Sequence, residues 1–165
     1  MNTAMRNGLL LALTLIVLAG FGCGKKPIDD LTPGGLMEDE QPMSAEERQA
    51  AMNISSGIIY FDYDSFSLSG ESKSILTQKA AVMKRYPQLR VIIEGHCDER
   101  GTEEYNLALG ERRARAAYDF LINLGAMASQ MEMVSFGKLH PAVSGSSEAA
   151  WAKNRRDEFK VFKPK

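Results

Sequence analysis

The hydrophobic pattern after residue 57 alternates between short apolar runs and longer stretches with helical spacing. Runs typical of strands occupy residues 58–61, 89–94, 131–136 and 159–162. Apolar positions with helical spacing occupy residues 69–86 and 105–124, with a shorter stretch at 148–153. This order predicts β-α-β-α-β-(short α)-β. The fold class is therefore α/β, an α+β sandwich with helices packed on one mixed four-stranded sheet.

An arginine interrupts the apolar side of the helix predicted at 105–124. At about 100° per residue, one stripe of this helix contains Leu109, Ala116, Ala117, Phe120, Leu121 and Leu124. Arg113 lies in the middle of that stripe. Because an arginine keeps its charge and is almost never buried unpaired, an anion from the protein or from a ligand must meet it.

Asp98 is the carboxylate placed to meet Arg113, since it follows the strand at 89–94. Two interpretations stay open. Asp98 and Arg113 form an internal salt bridge, or both face a ligand. In the second case Arg113 would bind a carboxylate through two parallel hydrogen bonds and Asp98 would bind an ammonium. A ligand carrying both groups on one carbon, the end of an amino acid, would match the pair.

Two further polar residues are candidates for the same site. Asp64 follows the first strand and either lines the same rim or is an ordinary turn residue. Asn106 lies near the start of the long helix and is either a cap or a ligand contact.

The N-terminal region has the features of a lipoprotein signal. An apolar run at residues 9–21 follows Arg6 and is too short for a comfortable membrane span. Cys23 follows it directly, as in bacterial lipoproteins, where this cysteine is acylated; a plain cleaved signal or an uncleaved anchor is the alternative. Gly24 rather than Asp resembles the signal for outer-membrane sorting.

The expected organisation is a signal peptide at 1–22, a lipidated Cys23 with a flexible linker to residue 53, and one domain at 54–165. Within the linker, Ser44 and Glu47 have the spacing of a capping box for a short helix at 44–52. With Cys23 acylated, Cys97 is the single remaining cysteine, so no intramolecular disulfide is expected.

Charge and motif spacing argue against nucleic-acid binding, metal binding and catalysis. The chain has 20 basic and 21 acidic residues without a basic face. His96, Cys97, Asp98 and His140 lack zinc-site spacing, and adjacent strand residues point in opposite directions. No Gly-x-Ser-x-Gly motif occurs, and no base is evident beside Cys97, which is interpreted as a small buried residue. We therefore expect no cofactor, no metal and no enzymatic activity.

Several collinear motifs carry a family resemblance. They include Gly-His-Cys-Asp-Glu-Arg-Gly at 95–101, with residues 61–64, 102–106, 109–114, 135–138, 141–143 and 153–156. With the lipoprotein-like start, this set resembles the peptidoglycan-binding lipoproteins of the OmpA-like C-terminal domain family. Cys97 departs from the threonine or alanine usual in the family.

The resemblance implies non-covalent binding of peptidoglycan through diaminopimelate of the stem peptide. Asp98 and Arg113 would hold its amino and carboxylate groups, and Asp64, Asn106 and Leu109 would line the site. It also implies a lipid anchor in the outer membrane facing the periplasm, and membership of the Tol–Pal system with TolB, and in some accounts TolA, as partners. Such a tether supports envelope integrity and cell division. A domain that acts mainly through protein–protein interactions is the alternative.

Overall fold

The computed structural model of the protein describes residues 42–165. The predicted signal at 1–22, the lipidation site Cys23 and the linker up to residue 41 lie outside the described residues. The elements follow in the order α1 (Ala45–Ser55), β1 (Ile59–Tyr60), α2 (Gly70–Arg85), β2 (Arg90–His96), α3 (Glu103–Asn123), a 3-10 turn (Ala128–Gln130), β3 (Met131–Gly137), α4 (Glu148–Asn154) and β4 (Arg156–Phe162). The predicted order is confirmed, with α1 in front of it.

Four strands of the described region form one mixed sheet in the order β1-β4-β2-β3. Strands β2 and β3 are parallel, as their connection through helix α3 allows, and β4 lies antiparallel to both β2 and β1. Strand β1 is shorter than predicted, whereas β2 continues past the predicted end at Glu94 to His96.

Alternate positions of the two central strands face the core. Val91 and Ile93 of β2 and Phe159 of β4 are buried. They belong to one cluster with residues from helices α1, α2 and α3, among them Ile54, Leu76, Met83, Ala117 and Leu121. Ile92, Glu94 and Lys160 take the intervening positions on the other, less buried face.

Helix α1 is part of the folded domain, although the sequence analysis placed it at the end of the linker. Its capping box is confirmed: Ser44 Oγ accepts from the backbone N–H of Glu47 at 3.1 Å. Ile54 is fully buried, and Lys79 donates to its backbone carbonyl. The expected boundary at residue 53 was wrong because these contacts join residues far apart in the sequence.

Helix α3 lies directly on strand β2. A Cβ added to Gly95 would come 2.0 Å from the carbonyl oxygen of Gly110, so these backbones approach as only glycine allows. The helix begins after the cap Thr102 and ends in a Schellman arrangement at Gly125, whose φ is 89°. This packing places Arg113 beside the end of β2. No helix within residues 42–165 is both long and apolar enough to cross a membrane.

Candidate ligand-binding pocket

All the residues predicted for the binding site line one pocket of about 160 Å³ at the junction of β2 and α3. Asp64 comes from the loop after β1 and Asp98 from the loop after β2, and three residues project from α3: Asn106, Leu109 and Arg113. The remaining lining residues are Tyr63, Cys97, Arg100, Gly101 and Tyr105.

Arg113 is 1% exposed and is held by backbone carbonyls. Its Nε donates to the carbonyl of Ser65 at 2.8 Å, and Nη1 donates to the carbonyl of His96 at 2.7 Å. Nη2 donates to the carbonyl of Asp62 at 3.2 Å. Arg113 therefore joins the loop after β1 to the end of β2, and burial lowers its pKa from the ordinary value without making it neutral.

The guanidinium of Arg113 keeps little free hydrogen-bonding capacity. A further N–H of Nη1 points to Cys97 Sγ at 3.4 Å. Of the five guanidinium N–H groups, one on Nη2 has no partner assigned within residues 42–165. The expected bidentate grip on a ligand carboxylate therefore does not fit Arg113 as it stands, because it needs two N–H groups and a second one would have to leave its present partner.

Asp98 is 4% exposed and pairs with other arginines. Its Oδ2 lies 2.6 Å from Arg100 Nη2 and 3.3 Å from Arg155 Nη1. Of the two interpretations left open, the internal salt bridge between Asp98 and Arg113 is therefore wrong: no such pair exists within residues 42–165. Burial alone would raise the pKa of Asp98, but the hydrogen bonds from Arg100 and Arg155 outweigh it and keep the pKa below its ordinary value. Asp98 is therefore an anion at neutral pH.

Asp64 and Asn106 take defined places at the rim. Asp64 has a φ of 51° and accepts a hydrogen bond from the Tyr105 hydroxyl. Asn106 is not the cap of α3, since Thr102 has that role. Its Nδ2 donates to the carbonyls of Arg100 at 2.8 Å and Thr102 at 2.9 Å, which fixes the loop that carries Asp98. Leu109 supplies a largely buried apolar wall.

Arg100 is a pocket residue that the sequence analysis did not single out. Its guanidinium lies 4.0 Å from the ring centroids of both Tyr63 and Trp151 while it pairs with Asp98. Tyr63, Arg100 and Trp151 come from three separate segments of the chain. Their spacing in the sequence therefore could not predict that the two rings pack against this arginine.

Cys97 is buried as predicted, with 3% of its surface exposed. Its thiol donates to the carbonyl of Asn106 at 3.3 Å. Burial raises the pKa of the thiol to about 11, even though Arg113 lies beside it. The thiol is therefore protonated at neutral pH and is a poor nucleophile.

Comparison with known proteins identifies the family. The sequence profile of the OmpA family matches residues 60–155.

The chain belongs to the OmpA family.

Relatives that match over nearly their whole length share one description. The peptidoglycan-associated lipoprotein of Pseudomonas aeruginosa is 37% identical over 172 residues, covering 94% of this chain and 98% of that protein. The peptidoglycan-associated lipoprotein of Pasteurella multocida is 40% identical, covering 90% of this chain and 92% of the relative. The resemblance drawn from the sequence motifs is therefore confirmed.

Solved structures agree with the OmpA-family fold. The peptidoglycan-associated lipoprotein from Burkholderia pseudomallei has a TM-score of 0.62 and 46% identity, covering 63% of this chain and 88% of that structure. The C-terminal domain of Helicobacter pylori MotB has a TM-score of 0.60 at 20% identity, covering 64% of this chain and 83% of that structure, a likeness of fold alone. The OmpA family is a binding and tethering family, and this member is not an enzyme.

Proposed function

We propose that this OmpA-family domain binds peptidoglycan non-covalently through the diaminopimelate residue of the stem peptide. The observation that carries the proposal is the charge pattern of the pocket. Asp64 and Asp98 supply carboxylates, and Arg100 and Arg113 supply guanidiniums, around one small cavity. The amino-acid end of diaminopimelate carries an ammonium and a carboxylate, so both of its charges find a partner of opposite sign.

The roles of the charged residues differ. Asp98 is buried and anionic, so it is the acceptor for the ligand ammonium. Arg113 offers a free N–H and a fixed positive charge to the ligand carboxylate. Arg100 is more accessible, with 29% of its side chain exposed, and can turn one N–H from Asp98 towards the carboxylate. Asn106 keeps the loop in place and Leu109 packs against the ligand's aliphatic chain.

The chain is further proposed to tie the outer membrane to the cell wall. Acylated Cys23 would be the anchor, and the domain would hold the wall from the periplasmic side. Since α1 is folded, about 20 residues separate Cys23 from the domain; fully extended they would reach at most about 70 Å. Two or more acyl chains are needed for stable anchoring, because one binds only marginally.

The Tol–Pal system supplies the proposed protein partners, TolB and TolA, and the setting in which the tether would serve envelope integrity and cell division. A second function, as a protein–protein interaction module, is favoured by the exposed aromatic rim beside the pocket. Tyr63, Phe66 and Tyr105 are 62%, 47% and 50% exposed. A partner that docks on this rim would cover the pocket and compete with peptidoglycan.

Binding to purified sacculi tests the proposed site. A soluble fragment of residues 24–165 retains the whole described core and lacks Cys23. We expect Asp98→Ala and Arg113→Ala each to lose about 2 kcal/mol of binding free energy, which is about thirtyfold. Arg115→Ala, an exposed arginine on the same helix, is the matched control and should bind as wild type.

Circular dichroism of each variant separates loss of the site from loss of the fold. Undiminished sacculus binding by folded Asp98→Ala and Arg113→Ala would contradict the site. A crosslink to TolB that survives Arg113→Ala, with the envelope intact, would favour the interaction module.

A further inference from the structure

The face of the sheet opposite the core carries a second group of polar side chains. Glu94 and His96 are two residues apart on β2, and Glu158 is the direct partner of Glu94 on β4. One ligand atom from each of the three lies within 4.8 Å of the others. The Nε2 of His96 is 3.9 Å from Oε2 of Glu94.

The His96 side chain is 97% buried, yet neither ring nitrogen has a hydrogen-bond partner within residues 42–165. Phe136 covers the ring, with centroids 5.5 Å apart, and His140 stacks on Phe136 at 4.4 Å. Buried polar groups almost always have a partner, so an orphaned imidazole indicates an additional ligand at this position.

The chemical state of His96 suits a metal ligand. Burial is the main cause that lowers its pKa to about 4, and the nearby Arg156 acts in the same direction. The ring is therefore neutral at pH 7 and has a lone pair to donate.

We propose that Glu94, His96 and Glu158 form a binding site for a divalent ion of the Zn²⁺ type. One imidazole nitrogen and two carboxylate oxygens belong to the donor set that Zn²⁺ accepts, with water completing a tetrahedron. Calcium and magnesium prefer oxygen ligands throughout, so the histidine selects against them.

In the metal-free protein, two basic residues form ion pairs with the carboxylates of Glu94 and Glu158. Lys160 Nζ lies 2.9 Å from Glu158 and 3.8 Å from Glu94, and Arg156 Nη2 lies 2.6 Å from Glu158. Lys160 is 51% exposed, so it can leave when the ion arrives, whereas Arg156 is buried and keeps Glu158 oriented. Lys160 is thus a competitor of the metal, and its removal should strengthen binding.

This site is separate from the peptidoglycan pocket. Gly95 faces helix α3, so the side chain of the next residue, His96, points away from α3 and the pocket. The hydrogen bond from Arg113 goes to the backbone carbonyl of His96, and substitution of the side chain leaves that carbonyl in place.

Calorimetric titration of fragment 24–165 with ZnCl₂ tests the proposal. The wild type should bind one ion per chain, and His96→Ala and Glu158→Gln should each weaken binding by about tenfold or more. His140→Ala removes the chain's other histidine and should stay within about twofold of wild type. Lys160→Met should bind more tightly than wild type.

Thermal unfolding gives a second readout, because an ion that binds only the folded state raises the midpoint. The midpoint should rise with zinc in the wild type and in His140→Ala, and should rise less in Glu158→Gln. The comparison with Glu158→Gln tests the site even if His96→Ala does not fold. Absence of saturable binding at about 1 mM zinc, or equal binding by wild type and Glu158→Gln, would overturn the site. Sacculus binding should be the same in Glu158→Gln and in the wild type, which keeps this test independent of the proposed function.

Discussion

Arg155 donates from Nη1 to Oδ2 of Asp98 at 3.3 Å and so ties the end of helix α4 to one of the two acidic residues that line the pocket. The same guanidinium donates from Nε to the carbonyl of Phe61 at 3.0 Å and from Nη2 to Glu148 at 2.7 Å. Since Arg155 is 6% exposed, its contacts with Asp98 and Phe61 are shielded from water, whereas Glu148 lies at the surface. The position of Asp98 therefore depends on a residue outside the predicted binding set.

Substitution of Arg155 by methionine should destabilise the domain. Asp98 would lose one of its two arginine partners and keep only Arg100. The carbonyl of Phe61 would lose its hydrogen-bond donor Arg155. Breaking a buried pair costs about 3 kcal/mol, which urea unfolding of fragment 24–165 will measure. Arg115→Met is the control, and a cost for Arg155→Met no larger than the control's would contradict the role of this contact.

Substitution of Gly95 by alanine should push helix α3 away from strand β2. The new Cβ would lie 2.0 Å from the carbonyl of Gly110, which is backbone and cannot turn aside. Overpacking of this kind costs about 1–3 kcal/mol or more, and sacculus binding should fall because Arg113 moves with the helix. Gly70→Ala meets open space and should stay within about 0.5 kcal/mol of wild type. Equal stability of the two variants would refute the close approach.

Asp157 should make the stability of the domain decrease as pH rises, the reverse of the usual effect of an ion-paired aspartate. It is fully buried, both carboxylate oxygens lack a hydrogen-bond partner within residues 42–165, and burial raises its pKa well above the ordinary 3.8. The folded state holds this proton more tightly than the unfolded chain does. Its contribution to stability is therefore full below pH 3.8 and declines as pH rises towards the folded pKa.

Urea unfolding of Asp157→Asn at several pH values tests this linkage. The stability of the variant relative to wild type should increase from pH 4 to pH 7, because asparagine has no proton to lose. Asp119→Asn, at an exposed position of α3, is the control and should show no such trend. A constant difference between Asp157→Asn and wild type would show that Asp157 titrates normally.

Cys97 should resist alkylation in the folded protein. Its pKa of about 11 and its burial leave little thiolate at pH 8. Fragment 24–165 contains this cysteine alone, so mass spectrometry after iodoacetamide treatment reports on it directly. We expect slow labelling in buffer and rapid labelling in denaturant; comparable rates would mean that the thiol is accessible.

Sequence periodicity predicted most of the fold because the apolar stripes of α2, α3 and the central strands each lie within one continuous segment of the chain. It also placed Arg113 correctly at a buried position, and Arg113 lines the pocket. Helix α1 was misjudged because its burial depends on Ile54 reaching a distant part of the core. Strand β1 was drawn too long because pairing with β4 involves only Ile59 and Tyr60.

The partners of the charged residues were harder to predict. Asp98 and Arg113 lie at one pocket, but their contacts run to Arg155 and to backbone carbonyls that no residue pattern reveals. The group of Glu94, His96 and Glu158 was missed for a related reason. Its third member comes from β4, and only the antiparallel register brings Glu158 beside Glu94.

The pocket is proposed to recognise the amino-acid end of diaminopimelate. The most direct measurement compares the affinity of fragment 24–165 for two stem peptides, one with diaminopimelate and one with lysine, which keeps the amine and lacks the carboxylate. We expect the diaminopimelate peptide to bind at least about tenfold more tightly, and Arg113→Ala to remove most of this preference. Equal affinity for the two peptides would contradict the proposed recognition.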